Sequence, residues 1–500
     1  MRSQWHRVAQ ACVLGVFAGA AGAAAAQGAP TSAANAAEDF CAGKVSSEQL
    51  VSAALTRAKE RADLNAFVTL DEAGALAAAK RADASKGHAR CRPLAGVPIV
   101  VKDNIEVAKL PTTGGTPALK GYVPKADAPV VKKLRDAGAI VLGKTNMHEL
   151  AFGISGYNPA YNTSSNVGVR NAYDVSRSAG GSSAGTGAAL GARIVMAGLG
   201  TDTGGSVRIP CAFNGCASLR PTVGRYSQKG ILPISHTRDT AGPMALAMAD
   251  VELLDRVISG AKPAKAADLK SVRLGLVKEF QANLDADTQA AFDAALAKAK
   301  AAGVTVLEVP MPKLMDLNNA VSFPIALYEA YDDVVKYLKG TGTGITLPKL
   351  AESIASPDVK GTYQGLVIPR KLPGPNNTVV DAKPAYDAAM KTSRPALQKL
   401  YADTFKQHKL DALVFPTVPK VAMVADPESS SVPTFVGVIQ NTDPGSNAGV
   451  PGLQIPIAIG ATSKLPVGLE LDGPVGSDRR LVAIGLALEG VFGRLPPPAR

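Results

Sequence analysis

Two serines lie beside pairs of glycines in one short segment of this chain, and together they could carry hydrolytic chemistry. The segment 180–211 reads GGSSAGTGAALGARIVMAGLGTDTGGSVRIPC and contains Ser182 and Ser206. Glycine is used where backbone N–H groups must come close to a substrate. The run from Asp202 to Ser206 can therefore present several N–H donors around one hydroxyl group. This arrangement is typical of an oxyanion hole that carries its own nucleophile.

The segment resembles the signature of the amidase signature family, whose members are serine hydrolases that cleave amides with a Ser–cis-Ser–Lys triad. Further agreement with the family is found at Leu94–Ile105, Gly143–Leu150, Asp239–Met244 and Leu465–Leu469. The resemblance therefore extends from about residue 40 to about residue 490. Ala184 departs from the family pattern, in which glycine is common at this position, but the change is small and leaves the triad intact.

The resemblance implies a role for each residue of the triad. Ser206 is expected to attack the amide carbonyl carbon and form the acyl-enzyme, Ser182 to relay the proton, and Lys102 to act as the base. The peptide bond before Ser182 is expected to be cis. A lysine accepts a proton only when it is neutral, so its pKa must fall well below the free value of about 10.4. Burial of the apolar run Val97–Val101 acts in that direction.

The resemblance also implies residues that surround the triad. The expected oxyanion donors are four consecutive backbone N–H groups, those of Thr203, Gly204, Gly205 and Ser206. Gly153, Ile154 and Ser155 match the family position that lines the acyl pocket, and Ile154 favours an apolar acyl group there. Asp202 and Arg208 flank the nucleophile. We expect these two to pair and hold the loop, which is a structural role.

Two local patterns match other motifs literally but lack their structural context. Gly138–Thr145 fits the phosphate-binding pattern GxxxxGK[ST], but its middle is apolar and predicts a turn and a buried strand after a helix. Gly181–Gly185 fits the GxSxG pattern, but a loop precedes it where that motif needs an apolar strand. The histidines do not have the spacing of a metal site, so no metal is predicted. We interpret His148 and His236 as packing residues.

The N-terminus has the composition of a secretory signal peptide. Arg2 and Arg7 precede an alanine-rich apolar stretch, residues 8–26, which ends in small residues before Gln27. This pattern predicts cleavage near Ala26. We therefore expect residues 27–500 to be periplasmic or secreted, without a membrane anchor.

The distribution of charge limits the partners of the chain. The formal net charge is +12 at pH 7, but the basic residues are dispersed. A solvated cationic surface is therefore expected, and nucleic-acid binding is not.

An oxidising compartment permits disulfides. Cys41 and Cys91, which lie outside the signature core, are the better candidates for a bridge. Cys211 and Cys216 are interpreted as small buried residues, with a bridge between them left open.

Alternating apolar runs and helical patterns predict an α/β domain. Strands are expected at Val97–Val101, Ile140–Leu142, Ile194–Gly198 and Val272–Val277, and helices at Ser46–Arg61, Leu70–Ala84, Ala128–Ala137, Asp287–Ala302 and Tyr386–His408. The family resemblance implies a single large domain over 27–500, with a central mixed β-sheet between layers of α-helices and a signature core at about 95–245. The stretch at about 313–431 departs from the alternation and is expected to form a mobile wall of the substrate pocket.

These features together predict an exported amidase that hydrolyses a linear amide to an acid and ammonia or an amine, without a cofactor, as a monomer or a homodimer. Within the family the chain resembles the indoleacetamide and mandelamide hydrolases, judging by Asn146–Ile154 and the spacing of the triad. That likeness suggests a small arylalkyl or other apolar acyl amide. A hydrolase of the same fold that acts on esters, anilides or carbamates is the alternative, as is a catalytically silent binding protein. The predicted signal peptide counts against the related glutamyl-tRNA amidotransferase subunit, which works in the cytoplasm.

Overall fold

The computed structural model describes residues 32–85, 91–162 and 167–499. The predicted signal peptide, residues 1–26, lies outside these ranges. Among the residues that are described, no helix combines the length and the apolar character that crossing a membrane requires.

A mixed β-sheet forms the centre of the molecule. The strands are β1 (Phe67–Leu70), β2 (Pro98–Lys102), β3 (Ile140–Thr145), β4 (Ala197–Asp202), β5 (Ala217–Arg220), β6 (Thr240–Ala245), β7 (Arg273–Leu276), β8 (Thr305–Glu308), β9 (Lys371–Pro373), β10 (Val379–Asp381), β11 (Ala412–Pro416), β12 (Gly452–Ile459) and β13 (Pro466–Asp472). Within the described residues the main sheet has 11 strands in the order β1-β3-β2-β4-β6-β5-β12-β13-β11-β7-β8, while β9 and β10 form a small separate sheet. Because β2 pairs in parallel with β3 and β4, and β4 pairs antiparallel with β6, the predicted mixed sheet is confirmed.

Helices pack on both faces of this sheet. They are α1 (Ala33–Cys41), α2 (Ser47–Glu60), α3 (Glu72–Ala84), α4 (Pro129–Asp136), α5 (Ala184–Gly191), α6 (Arg208–Asn214), α7 (Met248–Ser259), α8 (Ala286–Ala301), α9 (Leu314–Thr341), α10 (Leu347–Ser353), α11 (Pro357–Thr362), α12 (Ala382–Ala388), α13 (Arg394–His408), α14 (Val432–Ile439), α15 (Asp443–Ala448) and α16 (Asp478–Phe492). Successive side chains of a strand point to opposite faces. Accordingly, Ile99 and Val101 pack in one apolar cluster with α4, α7, α8 and α16. Val100 packs in a second cluster with α2, α3 and α5.

Several predicted elements end at other residues than expected. Ile194 lies in the turn after α5, and the strand begins only at Ala197, because Ile194 is buried against the helical layer and mimics a strand residue in the sequence. Leu70 is the last residue of β1, a strand that the sequence analysis missed, and α3 begins after it. The helix predicted at Tyr386–His408 is interrupted by one π-helical turn at Ala389–Ser393. The interruption comes just before Pro395, which has no N–H to continue the α-helical bonding.

The structure joins Cys41 to Cys91, as predicted, and also joins Cys211 to Cys216, the bridge that the sequence left open. Cys211 and Cys216 are fully buried. The Cys41–Cys91 bridge closes a sequence separation of 50 residues. In the chain-entropy account a loop of this length stabilises the fold by about 3–4 kcal/mol.

We therefore expect the double variant Cys41→Ser, Cys91→Ser to lose about 3–4 kcal/mol of unfolding free energy relative to the oxidised wild type. Denaturant titration with and without a mild reductant measures this loss, and wild type with both bridges intact is the control. Equal midpoints for the variant and the oxidised wild type, or peptide mapping that finds both thiols free, would contradict the prediction.

Candidate active site

Lys102 is the last residue of β2 and is completely buried. Its Nζ donates a hydrogen bond to Ser182 Oγ at 2.8 Å and another to Thr201 Oγ1 at 2.8 Å. Thr201 lies near the end of β4, which runs parallel to β2 in the sheet. Parallel neighbours end at the same edge, so the fold brings the lysine and this hydroxyl together. Asn104 Nδ2 donates to the same Thr201 oxygen at 3.1 Å and fixes its position.

Ser182 lies in the loop that leads into α5. The Gly181–Ser182 peptide bond is cis. The carbonyl oxygen of Ser182 accepts a hydrogen bond from the backbone N–H of His148 at 3.2 Å, and the N–H of Ser183 donates to the carbonyl oxygen of Ser206 at 3.1 Å. The second of these bonds ties the segment of Ser182 to the segment of Ser206, so two of the predicted residues lie on neighbouring loops.

The loop that carries Ser206 is organised around the buried carboxylate of Asp202. This carboxylate accepts hydrogen bonds from the N–H of Gly205 at 2.9 Å and the N–H of Val207 at 3.2 Å. The guanidinium group of Arg208 binds it at two points, Nε at 3.1 Å and Nη2 at 3.0 Å. Asp202 and Arg208 thus form the ion pair that the sequence analysis expected to hold this loop.

This ion pair belongs to a larger buried network. Arg220 Nη1 donates to Asp202 Oδ1 at 2.8 Å, and Arg208 also pairs with Glu470 on β13. The coulombic attraction of Arg208 and Arg220 outweighs the effect of burial, which alone would raise the pKa of Asp202, and holds that pKa far below its usual range. Asp202 is consequently ionised and its hydrogen bonds to the loop are charge-assisted.

One of the four expected oxyanion donors is already engaged. Because the Gly205 N–H donates to Asp202, it serves the loop, and the expectation that it is free for an oxyanion is wrong for this structure. The backbone N–H groups of Thr203, Gly204 and Ser206 remain the candidates. Gly205 has φ of +138°, and a Cβ there would overlap Thr442 Oγ1. Only glycine fits this turn of the loop.

The charge state of Lys102 follows from its surroundings. Burial lowers its pKa to about 7, while the carboxylates of Asp202 and Asp239 act in the opposite direction. A large share of the lysine is therefore neutral near neutral pH. Asp239 accepts a hydrogen bond from Thr203 Oγ1 at 2.6 Å, and burial raises its own pKa to about 6.

A cavity of about 570 Å³ adjoins this arrangement, with Ser206, Thr203 and Gly204 on its wall. Of the three residues expected to line the acyl pocket, Gly153 and Ile154 do so. Ser155 does not, because it is buried behind the wall with 2% of its surface exposed. The rest of the lining is largely apolar and comes from Phe152, Phe323, Leu327, Leu366, Leu372, Phe435 and Ile439.

Most of these apolar lining residues were not found by sequence reasoning. They come from α9, the segment after α11, β9 and α14, and no local motif connects them. One signal pointed to them, the departure from helix–strand alternation at about 313–431. That stretch supplies Phe323, Leu327, Leu366 and Leu372, whereas Phe435 and Ile439 lie just beyond it.

The two histidines interpreted as packing residues differ in their surroundings. His148 is completely buried, and its Nε2 lies 2.9 Å from Asp358 Oδ2. The packing interpretation of His236 is wrong, since its side chain is 59% exposed and its Nδ1 contacts Asp333 at 2.9 Å. Within the described ranges, His236, Glu329 and Asp333 are the one group whose ligand atoms approach closely enough for a metal ion. Glu329 is already engaged there by Thr237 Oγ1 at 2.9 Å.

The segment that matches GxxxxGK[ST] forms a buried strand, as its apolar middle predicted. Residues 140–145 form β3, and Lys144 is fully buried within the sheet. Its Nζ donates to Asp103 Oδ1 at 3.1 Å and to Thr112 Oγ1 at 2.8 Å. Lys144 therefore neutralises a buried carboxylate on the segment that follows β2.

The fold and the site residues define an amidase, and a family model described as Amidase matches residues 49–482. The chain belongs to this family and is an amide hydrolase. It is 45% identical to a mandelamide hydrolase of Pseudomonas putida over 461 residues, which cover 91% of this chain and 90% of that protein. It is 40% identical to an indoleacetamide hydrolase of Agrobacterium vitis over 450 residues, 88% of this chain and 92% of that protein.

A solved structure supports the same classification. The native peptide amidase of Stenotrophomonas maltophilia superimposes with a TM-score of 0.79 at 29% sequence identity. The match covers 94% of this chain and 99% of that one. The large mixed sheet and its helical layers are thus those of an amidase.

Proposed function

We propose that this amidase hydrolyses primary amides of small arylalkyl carboxylic acids through an acyl-enzyme on Ser206, with Ser182 and Lys102 as the proton relay and base. The observation that carries the proposal is the hydrogen bond of 2.8 Å between Lys102 Nζ and Ser182 Oγ, fully buried and next to the loop of Ser206. A buried lysine whose pKa is lowered to about 7 can take up a proton at neutral pH.

In the acylation step, neutral Lys102 takes the proton of the Ser182 hydroxyl while Ser182 takes the proton of Ser206. The Ser206 oxygen then bonds to the amide carbonyl carbon, and the carbonyl electron pair moves to the oxygen. The N–H groups of Thr203, Gly204 and Ser206 are the proposed donors to that oxyanion, an interaction worth about 3–4 kcal/mol per donor in such sites. Lys102 returns its proton through Ser182 to the leaving nitrogen, the C–N bond breaks, and ammonia departs.

Deacylation reverses the proton path with water as the nucleophile. Water gives its proton through Ser182 to Lys102 and its oxygen bonds to the acyl carbon. The ester bond to Ser206 then breaks, the serine oxygen recovers the proton, and the carboxylic acid leaves. Each residue ends the cycle in its starting protonation state, so no further reactant is required.

The cavity supports the choice of acyl group. Phe152, Phe323 and Phe435 are on its wall, and its volume of about 570 Å³ suits a small aromatic acid. The names of the two relatives, mandelamide hydrolase and indoleacetamide hydrolase, both denote amides of arylacetic acids. A matched panel tests the proposal. It consists of three derivatives of phenylacetic acid, the primary amide, the anilide and the methyl ester, and kcat/KM is measured for each with the purified protein of residues 27–500. The highest kcat/KM on the primary amide is expected, and a preference for the ester or the anilide would contradict it.

We further propose that the protein is exported and that its mature form begins near Gln27. The proposal rests on the charged start and the alanine-rich stretch that ends at Ala26. Intact-mass measurement of protein purified from the periplasm or medium of its own host should show a chain that starts within a few residues of Gln27. A chain that retains Met1 would rule out cleavage there, and enzyme confined to the cytoplasmic fraction would rule out export.

A further inference from the structure

The three proposed oxyanion donors belong to peptide units whose carbonyl oxygens are held by other groups. In a planar trans peptide the C=O and the N–H point in opposite directions, so a partner that fixes the carbonyl also fixes the direction of the N–H. The carbonyl of Asp202, in the unit of the first donor, accepts a hydrogen bond from Arg220 Nη1 at 2.8 Å. The carbonyl of Gly205, in the unit of the last donor, accepts one from the N–H of Ile209 at 2.8 Å.

The middle unit, which carries the Gly204 N–H, is held by a side chain from another segment. The carbonyl oxygen of Thr203 accepts a hydrogen bond from Arg238 Nη2 at 3.3 Å. The buried guanidinium group is itself fixed, since Nη2 also donates to Asp443 Oδ1 at 2.6 Å and Nη1 donates to the carbonyl oxygen of Ser322 at 2.9 Å. These two partners lie in α15 and α9, so two helices near the acyl cavity fix the arginine.

The next residue in sequence, Asp239, binds Thr203 at its hydroxyl group. Thr203 Oγ1 donates a hydrogen bond to Asp239 Oδ1 at 2.6 Å. The other carboxylate oxygen accepts hydrogen bonds from the N–H groups of Ile234 at 2.8 Å and Ser235 at 3.0 Å. The carboxylate is therefore fixed to its own loop while it holds the threonine.

Thr203 is thus held at two points, its carbonyl oxygen by Arg238 and its hydroxyl group by Asp239. Two glycines follow Thr203, and they leave the backbone few steric limits on rotation. An oxyanion donor must lie about 2.7–3.1 Å from the position that the oxyanion will occupy, so a small rotation of its peptide unit weakens the bond. Partners outside the loop must therefore supply the restraint that the sequence of the loop lacks.

We propose that Arg238 and Asp239 are positioning residues, which hold Thr203 so that its N–H and that of Gly204 are directed at the oxygen of the tetrahedral intermediate. This inference rests on the proposed function, because it assumes that Ser206 is the nucleophile and that these N–H groups are the donors. Arg238 also lines the acyl cavity, so the test must separate positioning from contact with the acyl group.

The first measurement is kcat and KM for the primary amide of phenylacetic acid. It is made on the plateau at about pH 9, because the carboxylate of Asp239 acts to raise the pKa of Lys102 and its removal would otherwise change the base. Arg238→Met should lower kcat by about 10- to 100-fold and Thr203→Val by about tenfold, both with little change in KM, compared with about 10²–10³-fold for the loss of a whole donor. Thr203→Ser keeps the hydroxyl group and should stay close to wild type.

The second measurement is the inhibition constant of benzyl trifluoromethyl ketone. The Ser206 oxygen bonds to the ketone carbon, the carbonyl electron pair moves to the oxygen, and the serine proton passes through Ser182 to Lys102. The adduct therefore carries the oxyanion of the transition state. If the two residues position the donors, the inhibition constant should rise in each variant by the factor by which kcat/KM falls.

Two further variants identify the path of the effect. Asp239→Asn should lower kcat in wild type but hardly further in Thr203→Val, because Asp239 acts through the threonine hydroxyl. Asn318→Ala is the matched control, since Asn318 donates to the same Asp443 carboxylate at 3.1 Å and has no bond to Thr203. It should lower stability and leave kcat and the inhibition constant close to the wild-type values.

The outcomes separate the positioning role from the proposed function. If kcat of Arg238→Met and Thr203→Val equals that of wild type, if their loss is in KM alone, or if kcat falls without a matching rise in the inhibition constant, positioning is overturned and the proposed function stands. If wild type hydrolyses no arylalkyl amide, the proposed function fails first. The rate at which a fluorophosphonate labels Ser206 then decides on positioning, which requires slower labelling of Thr203→Val than of Thr203→Ser and Asn318→Ala.

Discussion

Ser206→Ala should abolish hydrolysis and acyl-enzyme formation, with a fall in kcat on the order of 10⁶-fold, the loss found when the nucleophile of a serine hydrolase is removed. The variant lacks the oxygen that bonds to the carbonyl carbon, while the Asp202 contacts that hold its loop stay in place. Ser182→Ala breaks the relay between Lys102 and Ser206 but keeps the nucleophile, so a trace of activity should remain. Steady-state kinetics, together with the mass shift on fluorophosphonate labelling, measures both effects.

Ser183→Ala is the matched control for these two serines. The Ser183 hydroxyl donates to the carbonyl oxygen of Thr201 at 3.2 Å and accepts from its N–H at 3.3 Å, so its bonds are to the backbone of β4. This variant should lose some stability and still be labelled by the fluorophosphonate. A Ser206→Ala protein that still forms an acyl-enzyme, or a Ser183→Ala protein as inactive as Ser206→Ala, would overturn the assignment of the nucleophile.

Lys102→Ala should lose nearly all activity. The residual rate of this variant should also lack the pH dependence that the wild-type rate shows. Wild-type kcat/KM is expected to climb with pH through about 7, because burial lowers the pKa of Lys102 to about 7 and only the neutral amine accepts a proton. Below this pH the lysine is protonated and the relay is blocked. Above it the rate should reach a plateau. Rates for wild type and Lys102→Ala between pH 5 and about 9 measure the difference.

Two controls distinguish this base from other titrating groups. His236→Asn should keep the climb, because His236 is exposed and contacts Asp333 on α9. Lys144→Met removes a second fully buried lysine, which pairs with Asp103, and should lower stability while the folded protein keeps the climb. A folded His236→Asn protein as inactive as Ser206→Ala would refute the lysine-based mechanism and favour a histidine-dependent hydrolase.

Local sequence was sufficient to predict the parts of the site that lie close together along the chain. The run Asp202–Ser206 and the pair Asp202–Arg208 belong to one short segment, in which covalent connection itself limits the distances. The apolar run before Lys102 likewise predicted a buried strand, since five buried residues in succession fit a strand covered on both faces. In each of these cases the chemistry could be inferred because neighbours in sequence must also be neighbours in space.

Only the tertiary structure decided the contacts between distant segments. The bond between Lys102 and Ser182 spans 80 residues, and that between His148 and Asp358 spans 210, so both depend on how strands and helices pack. The hydrogen bond from the Gly205 N–H to Asp202 depends on the backbone conformation of the loop, which the identity of the loop residues did not specify. The sequence by itself thus determined the family and predicted the reactive groups, because these lie in short contiguous motifs. The cavity comes from packing, because no local pattern links residues separated by hundreds of positions.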